Sequence, residues 1–306
     1  MRRIIYVGML ALLAGCDSDD GNNDVQYAIE PQLDFVSTKF TRSASASSSI
    51  DTIAVTFRYR DGDGDIGLTI EDQDVPYQSY NFFLENENTL TSIPGRRVDV
   101  PYDLTIMPFV MVTPGAATGK LATIETREKP AFNNLPPLLY PYSCLHYRAG
   151  GILVAAKDKS ILDDSHVITD SLTMEGEKFY LLHSTDNTFY SERNENALNL
   201  YIDFLVEGND GAFTEFDFSR DLPTKTCAQG FDTRLPLLSS FTPGHHRDLV
   251  FDVNIISQNE GEITYAMASS GFRDLFTGKN LKLRISLKDR ALHVSNVIET
   301  TIFRVQ

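Results

Sequence analysis

The chain has 306 residues, and its 42 Asp and Glu outnumber its 27 Lys and Arg, which gives a formal net charge of −15 at pH 7. A surface this acidic repels nucleic acid and anionic headgroups, and it favours divalent cations or neutral partners. A chain of this length can bury a substantial core in one large domain or two ordinary ones.

The N-terminus has the composition of a secretory signal. Arg2 and Arg3 precede an apolar run at residues 4–13, which is too short to span a bilayer. The following Leu-Ala-Gly-Cys, ending at Cys16, resembles the lipobox of bacterial lipoproteins. This resemblance implies a signal peptide at residues 1–15 and a lipidated Cys16 that anchors the protein to a membrane. The alternative is an ordinary signal peptide followed by a chance cysteine.

Residues 16–27 form the predicted tether. The stretch CDSDDGNND is polar, acidic and glycine-containing, so we expect it to be disordered. Acidic residues directly after the lipidated cysteine resemble the surface-export signal of Bacteroidota lipoproteins. The resemblance implies an outer-membrane protein exposed at the cell surface, whereas a plain solvated spacer would carry no such information.

The remaining chain has the pattern of an all-β protein. Residues 51–59 alternate, with Ile53, Val55, Phe57 and Tyr59 on one face. Further predicted strands lie at residues 198–206, 249–256, 281–287 and 297–303. Residues 269–276 are compatible with one or two helical turns. The serine-rich run at residues 43–49 is predicted to be a flexible connection between two early strands. Four prolines between residues 130 and 142 exclude a central strand or a helix interior there.

The most specific internal motif is DGDGDIG, at residues 61–67. It places Asp61, Asp63 and Asp65 at alternate positions after the strand predicted at residues 51–59. In an extended chain the three carboxylates point the same way and repel one another, and calcium removes that cost because it takes six to eight oxygen ligands. The spacing resembles the start of an EF-hand loop, but the required glycine and the terminal glutamate are missing, with Asp72 at the glutamate's offset. The alternative is a solvated Asp-Gly turn.

The last predicted strands extend the resemblance. Residues 281–303 resemble the final hairpin of bacterial immunoglobulin-like domains. With the lipobox, DGDGDIG, YSC, TCAQGFDTRLPLL and SLKDRALHVSNVIET, the chain resembles a largely uncharacterised family of Bacteroidota surface lipoproteins. The resemblance implies an immunoglobulin-like β-sandwich over residues 28–306 and brings no established reaction with it.

Two architectures follow from these patterns. The first is one composite sandwich of early and late strands with hairpins inserted between them, and the second is two tandem sandwiches split near residues 128–141. In an immunoglobulin-like sandwich the loop after the second strand and the last hairpin share one end. We therefore expect Asp289, and with less support Asn296, beside the three aspartates as ligands of one structural Ca²⁺.

Other residues give weaker signals. Cys144 and Cys227 are predicted to form one disulfide, because an envelope compartment permits it, although two separate buried thiols remain the alternative. His245 and His246 are predicted to lie in an exposed turn, and the other histidines show no metal-ligand spacing. The sequence has no G-x-S-x-G, P-loop or H-E-x-x-H motif, and nothing selects a catalytic acid pair among its carboxylates.

These observations favour a non-catalytic lipoprotein over an enzyme. We expect a calcium-stabilised accessory subunit or interaction module of an outer-membrane protein complex, held at the membrane by its N-terminal lipid. The alternative is a glycan- or nutrient-binding lipoprotein that serves a transporter. A hydrolase whose site is not visible in one sequence is the third hypothesis, and nucleic acid is excluded as a partner.

Overall fold

A computed structural model describes residues 27–43, 50–102, 105–138, 147–148, 151–183, 187–218, 220–221 and 230–306. The predicted signal peptide, Cys16, the tether up to residue 26 and residues 44–49 of the serine-rich run lie outside these residues. Cys144 and Cys227 also lie outside them, so the predicted disulfide stays a prediction.

The described chain is nearly all β, which confirms the predicted fold class. One five-stranded sheet has the order β1-β2-β16-β15-β14. Its strands are antiparallel and run over Gln32–Thr41 (β1), Asp51–Arg60 (β2), Gly244–Arg247 (β14), Phe251–Ser257 (β15) and Glu260–Ser269 (β16). Early and late parts of the chain therefore pair within one sheet.

A second sheet comes from the late part of the chain alone. It has the order β13-β12-β17-β18, with β19 also paired to β17. Its strands are Leu200–Glu207 (β12), Phe213–Phe216 (β13), Asn280–Leu287 (β17), Ile298–Glu299 (β18) and Phe303–Arg304 (β19). The predicted strand at residues 297–303 is thus two short pieces, because Thr300 uses its backbone and its hydroxyl to bond Leu283 between them.

The two sheets share one apolar core, as in a β-sandwich. The alternating side chains of β2 that the sequence assigned to one face are all buried in it. Phe204 of β12 lies at the centre of a ring cluster, 5.2 Å from Phe218 and 5.6 Å from Phe276 between ring centroids. Phe276 ends the short helix α1, Phe272–Phe276, inside the segment for which the sequence predicted helical turns. Burial of alternate positions on facing strands holds the layers together.

The middle of the chain forms a sheet of its own. This nine-stranded inserted sheet has the order β7-β11-β3-β4-β5-β8-β10-β9, and β6 pairs with β3. Its strands are Tyr80–Asn86 (β3), Thr89–Tyr102 (β4), Thr105–Val112 (β5), Lys120–Leu121 (β6), Tyr147–Arg148 (β7), Ile152–Ala155 (β8), Asp170–Met174 (β9), Glu177–Leu182 (β10) and Phe189–Arg193 (β11). Strands β5 and β8 are parallel, and separate apolar clusters cover the sheet.

The proline-containing segment lies between strands of this same sheet. It contains a short 3₁₀ helix at Pro130–Phe132, where Phe132 is buried against Ala122 and Tyr190. Other 3₁₀ helices lie at Ile124–Glu128, Ala156–Ile161, Glu195–Ala197 and Leu238–Ser240. Among the residues described, no helix combines the length and the apolar character needed to cross a bilayer.

Candidate metal site

The aspartate motif begins where β2 leaves the first sheet. Asp61 N donates to Asn259 O at 2.8 Å, and the Asn259 amide donates to Asp61 O and Gly62 O at 2.7 and 2.8 Å. Asn259 lies in the turn between β15 and β16, so this turn ties the start of the loop to the end of the sheet. The carbonyls of Asp61 and Gly62 therefore already accept hydrogen bonds.

The loop is a turn and not the extended chain that the alternation predicted. Asp65 N donates to Asp61 Oδ2 at 2.9 Å, which closes a turn of five residues. Gly64 has φ +69°, a left-handed conformation that a side chain would strain. The carboxylates therefore converge because the backbone curls, and not because they share one face of a strand.

Asp289 approaches from the second sheet, directly after β17. His293 N donates to its Oδ1 at 2.7 Å, and His293 Nδ1 lies 2.8 Å from its Oδ2. The two loops are joined directly, since Arg290 N donates to Asp65 O at 3.1 Å. The cluster thus connects the ends of the two sheets of the sandwich.

All four predicted ligands lie together. One carboxylate oxygen from each of Asp61, Asp63, Asp65 and Asp289 lies within 4.8 Å of the others. Oxygens on opposite sides of a calcium ion are separated by about 4.6–5.2 Å, so the spacing suits a shared ion. Asp61 and Asp289 are buried, Asp65 is half-buried and Asp63 is exposed, so one side of the cluster faces solvent.

Two oxygens of the cluster are buried without a partner. No donor in the described part of the chain reaches Asp61 Oδ1 or Asp65 Oδ1. A buried carboxylate oxygen that accepts no hydrogen bond is costly unless a cation neutralises it. The cluster is therefore more than a group of exposed acids, because Asp61 has a relative accessibility of 0%.

The carboxyl groups resist ionisation in the absence of a cation. Burial, followed by the charge of Asp63, raises the pKa of Asp61 to about 7. Burial, followed by the charges of Asp289 and Asp63, raises the pKa of Asp65 to about 6. Burial also raises the pKa of Asp289, although its hydrogen bonds to His293 oppose the shift. A divalent ion would reverse these effects, since it favours the charged form.

Two further polar residues near the motif make other hydrogen bonds. Asp72 accepts from Thr69 N at 2.8 Å and from Arg290 Nη2 at 2.9 Å, so its carboxylate is used in the neighbouring loop. Asn296 pairs with the backbone of Leu33, accepting from its N–H at 2.7 Å and donating to its carbonyl at 3.0 Å. The amide of Asn296 therefore pairs β1 with the last loop, and its expected place among the ligands stays a prediction.

Sequence reasoning missed His293. It forms a second group with Asp63 and Asp289, again within 4.8 Å. The signal in the sequence is that His293 follows Asp289 by four residues. This spacing brings the two side chains together only when the chain between them turns tightly. The paired histidines were expected in an exposed turn, but they lie in the edge strand β14, where His245 is exposed and His246 is half-buried and stacks on Phe241 with 4.7 Å between ring centroids.

We compared the chain with protein families, curated proteins and solved structures. None of them matches it.

Proposed function

We propose that the four aspartates bind a structural calcium ion. The observation that carries this proposal is the buried, unpartnered Asp61 Oδ1 among three other carboxylates. Calcium suits the site because it is a hard cation that accepts several carboxylates in an irregular shell, and the solvent-facing side leaves room for water ligands. A transition metal would favour more nitrogen or sulfur ligands.

The ion would stabilise more than the loop itself. Arg290, next to Asp289, donates to Asp72, and Tyr77 donates its hydroxyl to Arg290 O. Both partners lie on the segment that leads from the sandwich to the inserted sheet. The proposed role is to fix the end of the sandwich from which that sheet extends.

Thermal melting in calcium and in chelator tests the metal. Saturation at one hundred times the dissociation constant contributes about 2.7 kcal/mol to the unfolding free energy. We expect calcium to raise the melting temperature of the wild type, and Asp61→Asn to remove that increase. Asp164→Asn is the matched control, because Asp164 is exposed and outside the cluster. Equal melting in calcium and in chelator would refute the proposal.

We also propose that the protein is a surface-exposed outer-membrane lipoprotein. Support comes from the sequence: a basic n-region, an apolar run, the lipobox-like Leu-Ala-Gly-Cys16 and the acidic tether. Incorporation of labelled fatty acid in cells, lost in Cys16→Ala, tests the anchor. Digestion of whole cells with an added protease tests surface exposure, with a periplasmic protein as the protected control.

The proposed activity is non-catalytic, as an accessory subunit or interaction module of an outer-membrane complex. It is supported by the β-sandwich, by the inserted sheet that it carries and by the absence of a catalytic motif in the sequence. Purification of the tagged, lipidated protein in mild detergent with calcium tests it. A stoichiometric barrel or lipoprotein partner is the expected result, and a protein that elutes alone would contradict the proposal.

A further inference from the structure

The inserted sheet has an open groove across five consecutive strands, β4, β5, β8, β10 and β9. Its volume is about 700 Å³, within the usual range of ligand sites. With adjacent strands about 4.8 Å apart, five strands span about 19 Å. That length matches about six residues of an extended peptide.

The floor of the groove is apolar and adaptable. Val98, Met111 and Met174 pack around Phe179 and leave part of their side chains accessible. Methionine is flexible and polarisable, so such a floor can fit more than one apolar side chain. A sheet face that keeps two half-exposed methionines in a groove is suited to apolar contacts with a partner.

The rim of the groove is acidic. Five carboxylates line it, and its two cations are already paired, Arg96 with Asp74 at 3.9 Å and Lys157 with Glu177 at 2.8 Å. Asp99 and Glu175 are exposed and form no ion pair within the described part of the chain. The uncompensated charge of the rim is therefore negative, and it complements a cationic ligand.

We propose that this groove binds a short extended segment of a partner protein in which apolar and basic residues alternate. The apolar side chains would lie on the methionine floor, and a basic one would reach Glu175 at the rim. This inference rests on the proposed role as an interaction module and names the chemistry of the partner segment. It does not depend on the calcium ion.

Binding of synthetic peptides to the full chain tests the proposal at about 0.15 M salt, where long-range attraction is screened. The probe is a six-residue peptide that alternates lysine and leucine, and lysine–serine and glutamate–leucine peptides are its controls. We expect the lysine–leucine peptide to bind the wild type, the lysine–serine peptide to bind at least about tenfold more weakly, and the glutamate–leucine peptide not to bind.

Three variants locate the binding. Glu175→Lys and Met111→Gln should each weaken binding of the lysine–leucine peptide by about tenfold. Glu175→Lys would repel the lysines, and Met111→Gln would remove apolar contact with the leucines. Glu128→Lys makes the same charge change at an exposed residue outside the groove and should leave binding unchanged. Thermal melting confirms that each variant is folded.

Several results would overturn the inference. The first is a lysine–leucine peptide that does not bind. The second is a Glu128→Lys variant that loses as much affinity for this peptide as Glu175→Lys does. The third is a lysine–serine peptide that binds as tightly as the lysine–leucine peptide. Retention on polysaccharide that Met111→Gln abolishes, without peptide binding, would assign the groove to a saccharide instead. Purification in mild detergent, repeated with Glu175→Lys, separates failure of this inference from failure of the proposed interaction module. A partner that co-purifies equally with the wild type and with Glu175→Lys would overturn the inference and leave the proposed module standing.

Discussion

His293 and Asp289 form a closed pair at the end of β17, in which the backbone N–H and the ring of His293 contact the two oxygens of one carboxylate at 2.7 and 2.8 Å. The contact orients Asp289 toward the other aspartates. Polar groups that hold a ligating carboxylate fix its direction and tune its affinity for the metal. We therefore assign His293 as a positioning residue beside the proposed ion.

His293→Ala should lower calcium affinity by about tenfold while the protein stays folded. The reason is that Asp289 loses the ring that holds one of its oxygens. Isothermal titration with calcium measures the change, and Val294→Ala is the neighbouring control. Tight zinc binding by the wild-type site that His293→Ala abolishes would contradict this role and indicate that His293 ligates the metal directly.

The metal-free protein should lose stability as the pH rises from about 4 to about 7. Raised pKa values in the folded state mean that Asp61 and Asp65 retain protons that the unfolded chain has released. Their stabilising contribution is therefore complete below the unfolded pKa of about 4 and is lost as the pH passes the folded values. Urea unfolding at a series of pH values measures the trend.

Calcium should oppose this pH trend, because the ion displaces the protons and favours the charged carboxylates. Asp61→Asn should reduce the decline of the unfolding free energy with rising pH in metal-free buffer, since one titrating group is removed. A decline of the same size in wild type and variant would show that other groups cause it.

Asn296→Ala should destabilise the sandwich without affecting calcium binding. The variant removes the two hydrogen bonds to the Leu33 backbone, which costs about 0.5–1.5 kcal/mol per bond. Urea unfolding measures the loss, and calcium titration should give the wild-type affinity. Asn209→Ala, in the exposed turn after β12, is the control. Reduced calcium affinity in Asn296→Ala would return Asn296 to the candidate ligands.

Gly62→Ala should weaken both the fold and the proposed site. A Cβ at this position would lie 2.6 Å from Tyr27 O and 2.7 Å from Ala28 O, so the segment before β1 would have to move. We expect a loss of about 1–3 kcal/mol in the unfolding free energy, as in other overpacked positions. Gly271→Ala is the matched control, because its nearest neighbour is 3.5 Å away. Equal unfolding free energies for the two variants would contradict this account.

The sequence by itself determined the features that depend on local pattern. Alternation in residues 51–59 predicted which side chains of β2 are buried, and Ile53, Val55, Phe57 and Tyr59 all are. Period-two burial is a property of any strand with one face on a core, so it is readable without knowing the partner strand. The three aspartates were likewise visible as an unusual charge density, although the turn that gathers them was not.

Only the tertiary structure decided which acids are buried and what lies beside them. Asp61 is enclosed because the turn of Asn259 and the segment of Tyr27, both distant in sequence, close over its loop. His293 became part of the site because a turn brings it back to Asp289. The amide of Asn296 pairs with the backbone of Leu33, a contact between the two ends of the chain. The inserted sheet, with its parallel pair β5 and β8, also depends on contacts between distant strands. Such contacts follow from long-range packing, which single-sequence periodicity does not encode.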